Sequence, residues 1–152
     1  MAVAGLMLGG CAAALPPQDH GAVGDLAVTG QTVTRACIAA GFAPEAVAER
    51  LRAEGFARSS FLSPMLARGA GDLRVLVPTA GPCEMVAENQ AVAVLRSAMR
   101  DALRAEGFTR DRTVTDAEVW VRDNQRLALT RLSTPSPRYQ PKLVTLRLQP
   151  VQ

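Results

Sequence analysis

Six residues of this chain occur twice in the same order, and this repeat limits the folds that the chain can adopt. The sequence Leu-Arg-Ala-Glu-Gly-Phe fills positions 51–56 and again positions 103–108, a spacing of 52 residues. In each copy we expect Leu to pack inward at the end of a helix, Gly to turn the chain, and Phe to close the core. The repeat predicts an internal duplication with related halves at about residues 31–88 and 89–152. The alternative is that two unrelated helices end with the same local chemistry.

Three segments have the apolar spacing of helices. The spacing from Val33 to Ala40 is helical within residues 31–40, although the β-branched run at 32–34 leaves a short strand open. A second helix is predicted from Pro44, which suits a first helical position, to Glu54. The third and longest spans residues 90–106, with Asn89 as its cap. Its inward stripe consists of Val92, Leu95, Met99 and Leu103.

Alternating apolar residues predict two β-hairpins and a last strand. The first hairpin pairs residues 73–77 with residues 83–88, and the second pairs 118–122 with 127–132. The last strand covers residues 143–148, whereas residues 59–71 have neither period and are expected to form a loop. Two helix–hairpin units with an added strand define an α+β domain. Its helices are expected to pack on one face of an antiparallel sheet.

The N-terminal residues carry a processing signal. A short apolar run from Ala2 ends in Leu8-Gly9-Gly10-Cys11. These four residues closely resemble the lipobox of bacterial lipoproteins, in which the Cys thiol is alkylated with diacylglycerol and cleavage leaves this Cys as the new N-terminus. The run lacks the basic residues that usually precede it, so translation is expected to start upstream of Met1. The alternative is an apolar N-terminal element with an incidental Cys.

The resemblance to lipoproteins implies a location for the protein. Residues 1–10 would be removed as a signal peptide, and Cys11 would carry the lipid that anchors the protein in a membrane. Residue 12 is Ala and not the Asp that retains such lipoproteins at the inner membrane, so the periplasmic face of the outer membrane is expected. Residues 11–30 are predicted to be a tether with two prolines and several glycines. The only histidine, His20, lies there without partner ligands, so no metal site is predicted.

Export also determines the chemistry of the other two cysteines. With Cys11 lipidated, Cys37 and Cys83 remain, and the exported compartment is oxidising. We predict a disulfide between them. It would attach the first helical segment to the returning strand of the first hairpin and stabilise the fold by about 4 kcal/mol in the chain-entropy account. The alternative is two separate buried thiols.

The arginines provide one candidate surface. Seventeen basic and fourteen acidic residues are interleaved, and aromatics make up only 4% of the chain, so the composition does not indicate nucleic-acid binding. Arg96, Arg100 and Arg104 repeat every four residues and therefore share one face of the long helix. They could bind lipid headgroups or an anionic envelope polymer. A solvated face, interrupted by Asp101 and Glu106, is the ordinary alternative.

Trp120 has two possible positions. It alternates with Val119 and Val121, so it points away from the helices if the valines face them. It would then be an exposed anchor for a binding partner. If the valines point outward instead, Trp120 lies in the core. The pattern leaves both positions open.

No pattern in the sequence indicates catalysis or a cofactor. The carboxylates form no evident acid–base pair, and the serines at positions 59, 60 and 63 have no histidine base in the folded part. The sequence therefore predicts a non-enzymatic cell-envelope lipoprotein that binds a protein partner or supports an envelope assembly. Inhibition of a cell-wall hydrolase is a special case of this prediction. Binding of an anionic polymer through the three arginines is the main alternative.

Overall fold

A computed structural model describes residues 23–59, 65–69, 74–133 and 143–151. Within these ranges the helices are α1 (Val23–Ala39), α2 (Pro44–Ala53) and α3 (Asn89–Ala105). The strands are β1 (Ala57–Arg58), β2 (Met65–Arg68), β3 (Val75–Pro78), β4 (Cys83–Glu88), β5 (Thr109–Asp111), β6 (Glu118–Arg122), β7 (Gln125–Ser133) and β8 (Leu143–Pro150). All strand pairs are antiparallel, and the helices cover one face of a single sheet. The predicted α+β class is confirmed.

The strand order of the sheet is symmetric about its centre. It reads β1-β2-β3-β4-β8-β7-β6-β5, so the last strand of each half meets the other at the middle. These two central strands pair over six residues, from Cys83 opposite Leu148 to Glu88 opposite Leu143. Each half therefore contains a helix that ends in the hexamer, α2 or α3, followed by four antiparallel strands, and α1 precedes this unit in the first half. The last strand is the counterpart of β4 and not an addition to the repeat.

The two copies of the hexamer end their helices in the same way. The amide of Phe56 donates to the carbonyl of Leu51 at 3.0 Å, and the equivalent distance from Phe108 to Leu103 is 2.9 Å. The glycine has a φ of +87° in the first copy and +83° in the second, the left-handed region that glycine adopts without steric cost. Both leucines and both phenylalanines are buried, as predicted. The shared geometry and the shared topology of the halves support an internal duplication.

The tether predicted to reach residue 30 ends earlier, because α1 begins at Val23. Leu26 and Thr29 are buried in the helical layer. Gly30, taken from the sequence as a sign of flexibility, has a packing role, since a Cβ at this position would lie 3.0 Å from the Cβ of Ala98 on α3. The glycine lets the two helices approach closely. The strand alternative for residues 32–34 is also wrong, because these residues lie within α1.

Cys37 and Cys83 form the predicted disulfide, with their Cα atoms 6.1 Å apart. Cys37 lies in the last turns of α1, and Cys83 is the first residue of the central strand β4. Both are buried in the same core cluster. The bond therefore ties the helical layer to the middle of the sheet, and the alternative of two separate thiols is wrong.

Two local predictions differ from the structure. Residues 65–68, expected to lie in a loop, form β2 between β1 and β3. Asn89 was expected to cap the long helix but is its first helical residue, and the preceding Glu88 occupies the cap position without a side-chain capping bond. The Asn89 side-chain oxygen accepts a hydrogen bond from Arg131 of β7 at 2.8 Å instead. This bond links the start of α3 to the sheet.

Candidate functional site

Trp120 lies in the core, on the sheet face that the helices cover. It is 2% exposed, and its partner on β7, Leu127, is buried on the same face. The indole N–H donates to a carboxylate oxygen of Glu118 at 3.1 Å, so the polar atom of the ring has a partner. Trp120 is therefore not an exposed anchor, and that alternative is wrong. The neighbouring Val121 points to the opposite face of the sheet.

Glu118 binds two of the three arginines in the predicted stripe. Arg96 Nη2 lies 2.6 Å from Glu118 Oε2, and Arg100 donates from Nε and Nη2 to the two carboxylate oxygens at 2.7 Å each. The Glu118 side chain is only 3% exposed, whereas both arginine side chains are 33% exposed. Glu118 is therefore a buried carboxylate and not a solvated one. The cluster attaches α3 to β6.

The electrostatics of Glu118 explain why it remains charged. Burial by itself would raise the pKa of this carboxyl, because it disfavours the ionised form. The hydrogen bonds from Arg100 and Arg96, the positive charge of Arg100 and the hydrogen bond from Trp120 act in the opposite direction and outweigh burial. Together they lower the pKa of Glu118 from 4.5 to about 2. The group is therefore ionised at neutral pH and is the counter-ion of the two arginines.

Arg104, the third arginine of the stripe, lies outside this cluster. Its guanidinium carbon is 5.6 Å from the centre of the Trp120 ring, and its Nη1 contacts Asp101 Oδ1 at 2.7 Å in an exposed position. Arg104 lines an open cleft of about 730 Å³ beside the end of α3, which we call the arginine cleft. The cleft is lined by Arg104, Phe108, Thr109, Arg110, Arg112, Val114, Thr115 and Trp120. The predicted stripe therefore divides into two structural arginines and one that belongs to a cationic cleft.

The sheet face that the helices do not cover carries a continuous row of mainly apolar residues. Directly paired residues of antiparallel strands point to the same face, so the row can be followed from strand to strand. It consists of Ala57, Ala67, Leu76, Val86, Thr145 and Leu132, and we call it the apolar row. All six are exposed or half-buried. Leu132 and its diagonal neighbour Leu143 are each 40% exposed.

Sequence reasoning missed Glu118, Arg110, Arg112 and the apolar row. A signal existed for Glu118, because it alternates with Val119 and therefore lies on the same face of the strand as Trp120. A weaker signal existed for Arg110 and Arg112, which alternate directly after the second hexamer. No local signal existed for the apolar row, because it depends on the register of strands far apart in sequence.

Several predicted features lie outside the described residues. They are the lipobox with Cys11, the only histidine, His20, and two of the three serines considered as nucleophiles. None of the three described helices is long and apolar enough to cross a membrane. Within the described ranges, no three His, Cys, Asp or Glu side chains are placed to share a metal ion.

Comparisons with known protein families, with curated proteins and with solved structures find no match to this chain. No function can therefore be transferred from a relative. The function has to be inferred from the two surfaces described above, the arginine cleft on the helical side and the apolar row on the other side of the sheet.

Proposed function

We propose that this chain is a non-enzymatic, lipid-anchored protein of the bacterial cell envelope that binds a protein partner through the apolar row. The observation that carries the proposal is the row itself, which crosses six of the eight strands on the face opposite the helices. At about 4.8 Å between strands the row is about 24 Å long. This length is close to the width of a standard protein interface of about 800 Å² on each side.

The composition of this face favours a protein as the occupant. Leu132 and Leu143 expose two large apolar side chains next to each other, and burying them against a partner would remove apolar surface from water. The next residue pair along the central strands is the ion pair of Glu84 and Arg147, with a distance of 2.6 Å. An apolar centre with a polar rim is the usual anatomy of a protein interface.

Other observations support the lipid anchor and the non-enzymatic character. The anchor is supported by the lipobox at residues 8–11. The non-enzymatic character is supported by the state of the buried carboxylate of Glu118, because two arginines hold it ionised and each of its oxygens already accepts two hydrogen bonds. The described residues also contain no histidine, the usual acid–base group near neutral pH.

Site-specific photo-crosslinking in the native envelope tests the partner. A crosslinking amino acid at position 132 or 143 is expected to give one discrete adduct with the same protein. The matched control is position 28 on α1, where Val28 is 49% exposed on the helical side of the molecule. No discrete adduct is expected from that position.

Binding of the purified partner then decides whether the apolar row is the interface. Leu132→Asp places a charge in the row and is expected to weaken binding at least about tenfold, while Val28→Asp leaves it unchanged. Both positions are exposed, so both variants should keep the thermal stability of the parent. Equal binding by Leu132→Asp and the parent, or equal loss in the two variants, would remove the apolar row as the interface.

A further inference from the structure

We propose that the arginine cleft is a binding site for a phosphate-bearing organic ligand. This site is separate from the apolar row, because it lies on the helical side of the sheet between the end of α3, β5 and the loop that follows β5. It therefore stands whether or not the row binds a protein.

The charge of the cleft is not cancelled by the fold. The side chains of Arg110 and Arg112 form no ion pair or hydrogen bond with a residue in the described part of the chain. Arg104 contacts Asp101, but these side chains are 61% and 55% exposed, so water weakens their attraction. Three guanidinium groups and one carboxylate leave a surplus of two positive charges. A phosphate monoester carries about that negative charge near neutral pH, and guanidinium groups bind phosphate oxygens in pairs.

The size and walls of the cleft favour an organic phosphate over the free ion. A volume of about 730 Å³ lies in the range of sites that hold small organic molecules. Phe108, Val114 and Trp120 contribute apolar wall, and Thr115 contributes a hydroxyl that can bind a polar group of the ligand. The indole N–H of Trp120 is already used by Glu118 and the residue is 2% exposed, so it forms the floor of the cleft without offering a hydrogen bond. The cleft therefore combines an anion site with apolar surface.

Asp111 stands between Arg110 and Arg112 in the chain but does not neutralise them. Arg110 lies opposite Trp120 in the register, on the cleft side, so Asp111 points to the other face of the sheet. There it contacts Arg126 at 3.1 Å. It also accepts a hydrogen bond from the amide of Thr113 at 3.0 Å, which fixes the turn that carries Arg112. The alternation of β5 thus places Arg110 on the cleft side and Asp111 on the other face, and the turn after β5 carries Arg112 to the cleft.

The C-terminal end of α3 disfavours an anion in the arginine cleft. The carbonyl end of α3, next to Arg104, carries about half a negative charge. Arg122 offsets part of it by donating to the carbonyl of Glu106 at 2.6 Å. The surplus of two positive charges outweighs the remainder, and the balance favours a bound phosphate.

The fluorescence of Trp120 can report ligand binding, because this residue is the only tryptophan of the chain and lines the cleft. The full-length chain with Cys11→Ala, which lacks the predicted lipid, is titrated with glucose 1-phosphate, inorganic phosphate and unphosphorylated glucose. We expect saturable changes in fluorescence or in melting temperature with glucose 1-phosphate, a weaker response to inorganic phosphate and none to glucose. The double variant Arg110→Gln/Arg112→Gln is expected to raise the half-saturating concentration at least about tenfold.

The duplication provides the matched control. Arg52 and Arg58 are the counterparts of Arg104 and Arg110 in the first half of the chain, where the strand partner of Arg58 is Leu66 and not a tryptophan. The double variant Arg52→Gln/Arg58→Gln changes the net charge by the same amount and should leave the half-saturating concentration within about twofold. Equal weakening in the two double variants would show a general charge effect and overturn the site.

A sedimentation assay with vesicles identifies the source of the phosphate. The same chain is mixed with phosphatidylcholine vesicles that contain phosphatidic acid. Retention that depends on Arg110 and Arg112, without a response to glucose 1-phosphate, assigns the cleft to a lipid headgroup, and the reverse pattern assigns it to a soluble phosphate ester. If neither vesicles nor soluble phosphates give a response that depends on these two arginines, the proposal is wrong.

Discussion

At the scale of single residues, Glu118 is the centre of a cluster of three charged side chains. It is buried and pairs with Arg96 and Arg100, so replacing it with glutamine leaves two neighbouring guanidinium groups without a counter-ion. We expect Glu118→Gln to lower the free energy of unfolding by about 3 kcal/mol, the lower end of what is typical when one partner of a buried pair is removed, because both arginines are 33% exposed. Denaturant titration measures this loss.

The cross-strand pair of Glu84 and Arg147 provides the control for this variant. It is also an arginine–carboxylate contact at 2.6 Å, but it lies on the other face of the sheet and holds one arginine instead of two. Glu84→Gln is expected to cost about 1 kcal/mol or less. A loss in Glu118→Gln no larger than that in Glu84→Gln would contradict the structural role of the cluster.

The stability of the protein should depend on pH through the same residue. The folded pKa of Glu118 is about 2, below its ordinary value of 4.5, so its contribution is complete above the ordinary value and is lost as the pH falls toward 2. The contribution amounts to at most about 3 kcal/mol, from the conversion of a pKa difference into free energy. We therefore expect the difference in unfolding free energy between the parent and Glu118→Gln to shrink between about pH 5 and pH 2. A difference that stays constant over this range would contradict the lowered pKa.

The sequence could not have placed the charge cluster with certainty. The spacing of Arg96, Arg100 and Arg104 correctly put them on one face of a helix, but a helix alone does not tell which strand that face meets. Alternation placed Glu118 and Trp120 on the same side without saying which side faces the helices. The burial of Glu118 depends on its contacts with two arginines of another element, so it is set by the tertiary structure and not by the local sequence.

At the scale of elements, local patterns predicted α2, α3 and the longer strands, but they missed the first eight residues of α1. The glycine and phenylalanine of the hexamer ended α2 and α3 as expected, and the bounds of β4 agree with the prediction. The strands β1 and β5 were missed because two or three residues cannot show an alternating pattern. β2 was missed because its place depends on pairing with β3 and not on its own composition.

The close contact of α1 with α3 depends on Gly30, which has no side chain. A Cβ on Gly30 would lie 3.2 Å from the carbonyl oxygen of Leu95, as well as close to Ala98. We expect Gly30→Val to lower the unfolding free energy by about 1–3 kcal/mol, because the helices would have to move apart. Ala93→Val, on the exposed side of α3, adds a β-branched residue without this clash and should cost less than about 1 kcal/mol. Equal costs in a thermal or denaturant unfolding assay would show that helix propensity and not packing explains the effect.

The disulfide should account for a large part of the stability. The bond closes a loop between residues 46 positions apart, and the chain-entropy account assigns it about 4 kcal/mol. We expect the double variant Cys37→Ala/Cys83→Ala to unfold at a lower denaturant concentration than the oxidised parent. Reductant should lower the midpoint of the parent and leave the double variant unchanged. A parent whose midpoint does not respond to reductant under denaturing conditions would contradict the bridge.

At the scale of the whole molecule, the fold separates two surfaces of different chemistry. The sheet has the helices and the arginine cleft on one side and the apolar row on the other. A partner on the apolar row would therefore leave the cleft open to a second ligand. The two halves differ at the position that faces the cleft, because Trp120 of the second half corresponds to the smaller Leu66 of the first.

A lipid on Cys11 would hold both surfaces at a membrane. If Cys11 carries diacylglycerol, labelled palmitate should be incorporated into the parent protein and lost in Cys11→Ala. Two acyl chains anchor a protein stably, whereas a single chain binds only marginally, so the parent should fractionate with the outer membrane and Cys11→Ala with the soluble periplasm. The control is Cys37→Ala/Cys83→Ala, which removes two cysteines but should keep the label and the membrane fractionation. A Cys11→Ala protein that still fractionates with the membrane after a salt wash would have another anchor, and the lipoprotein assignment would fail.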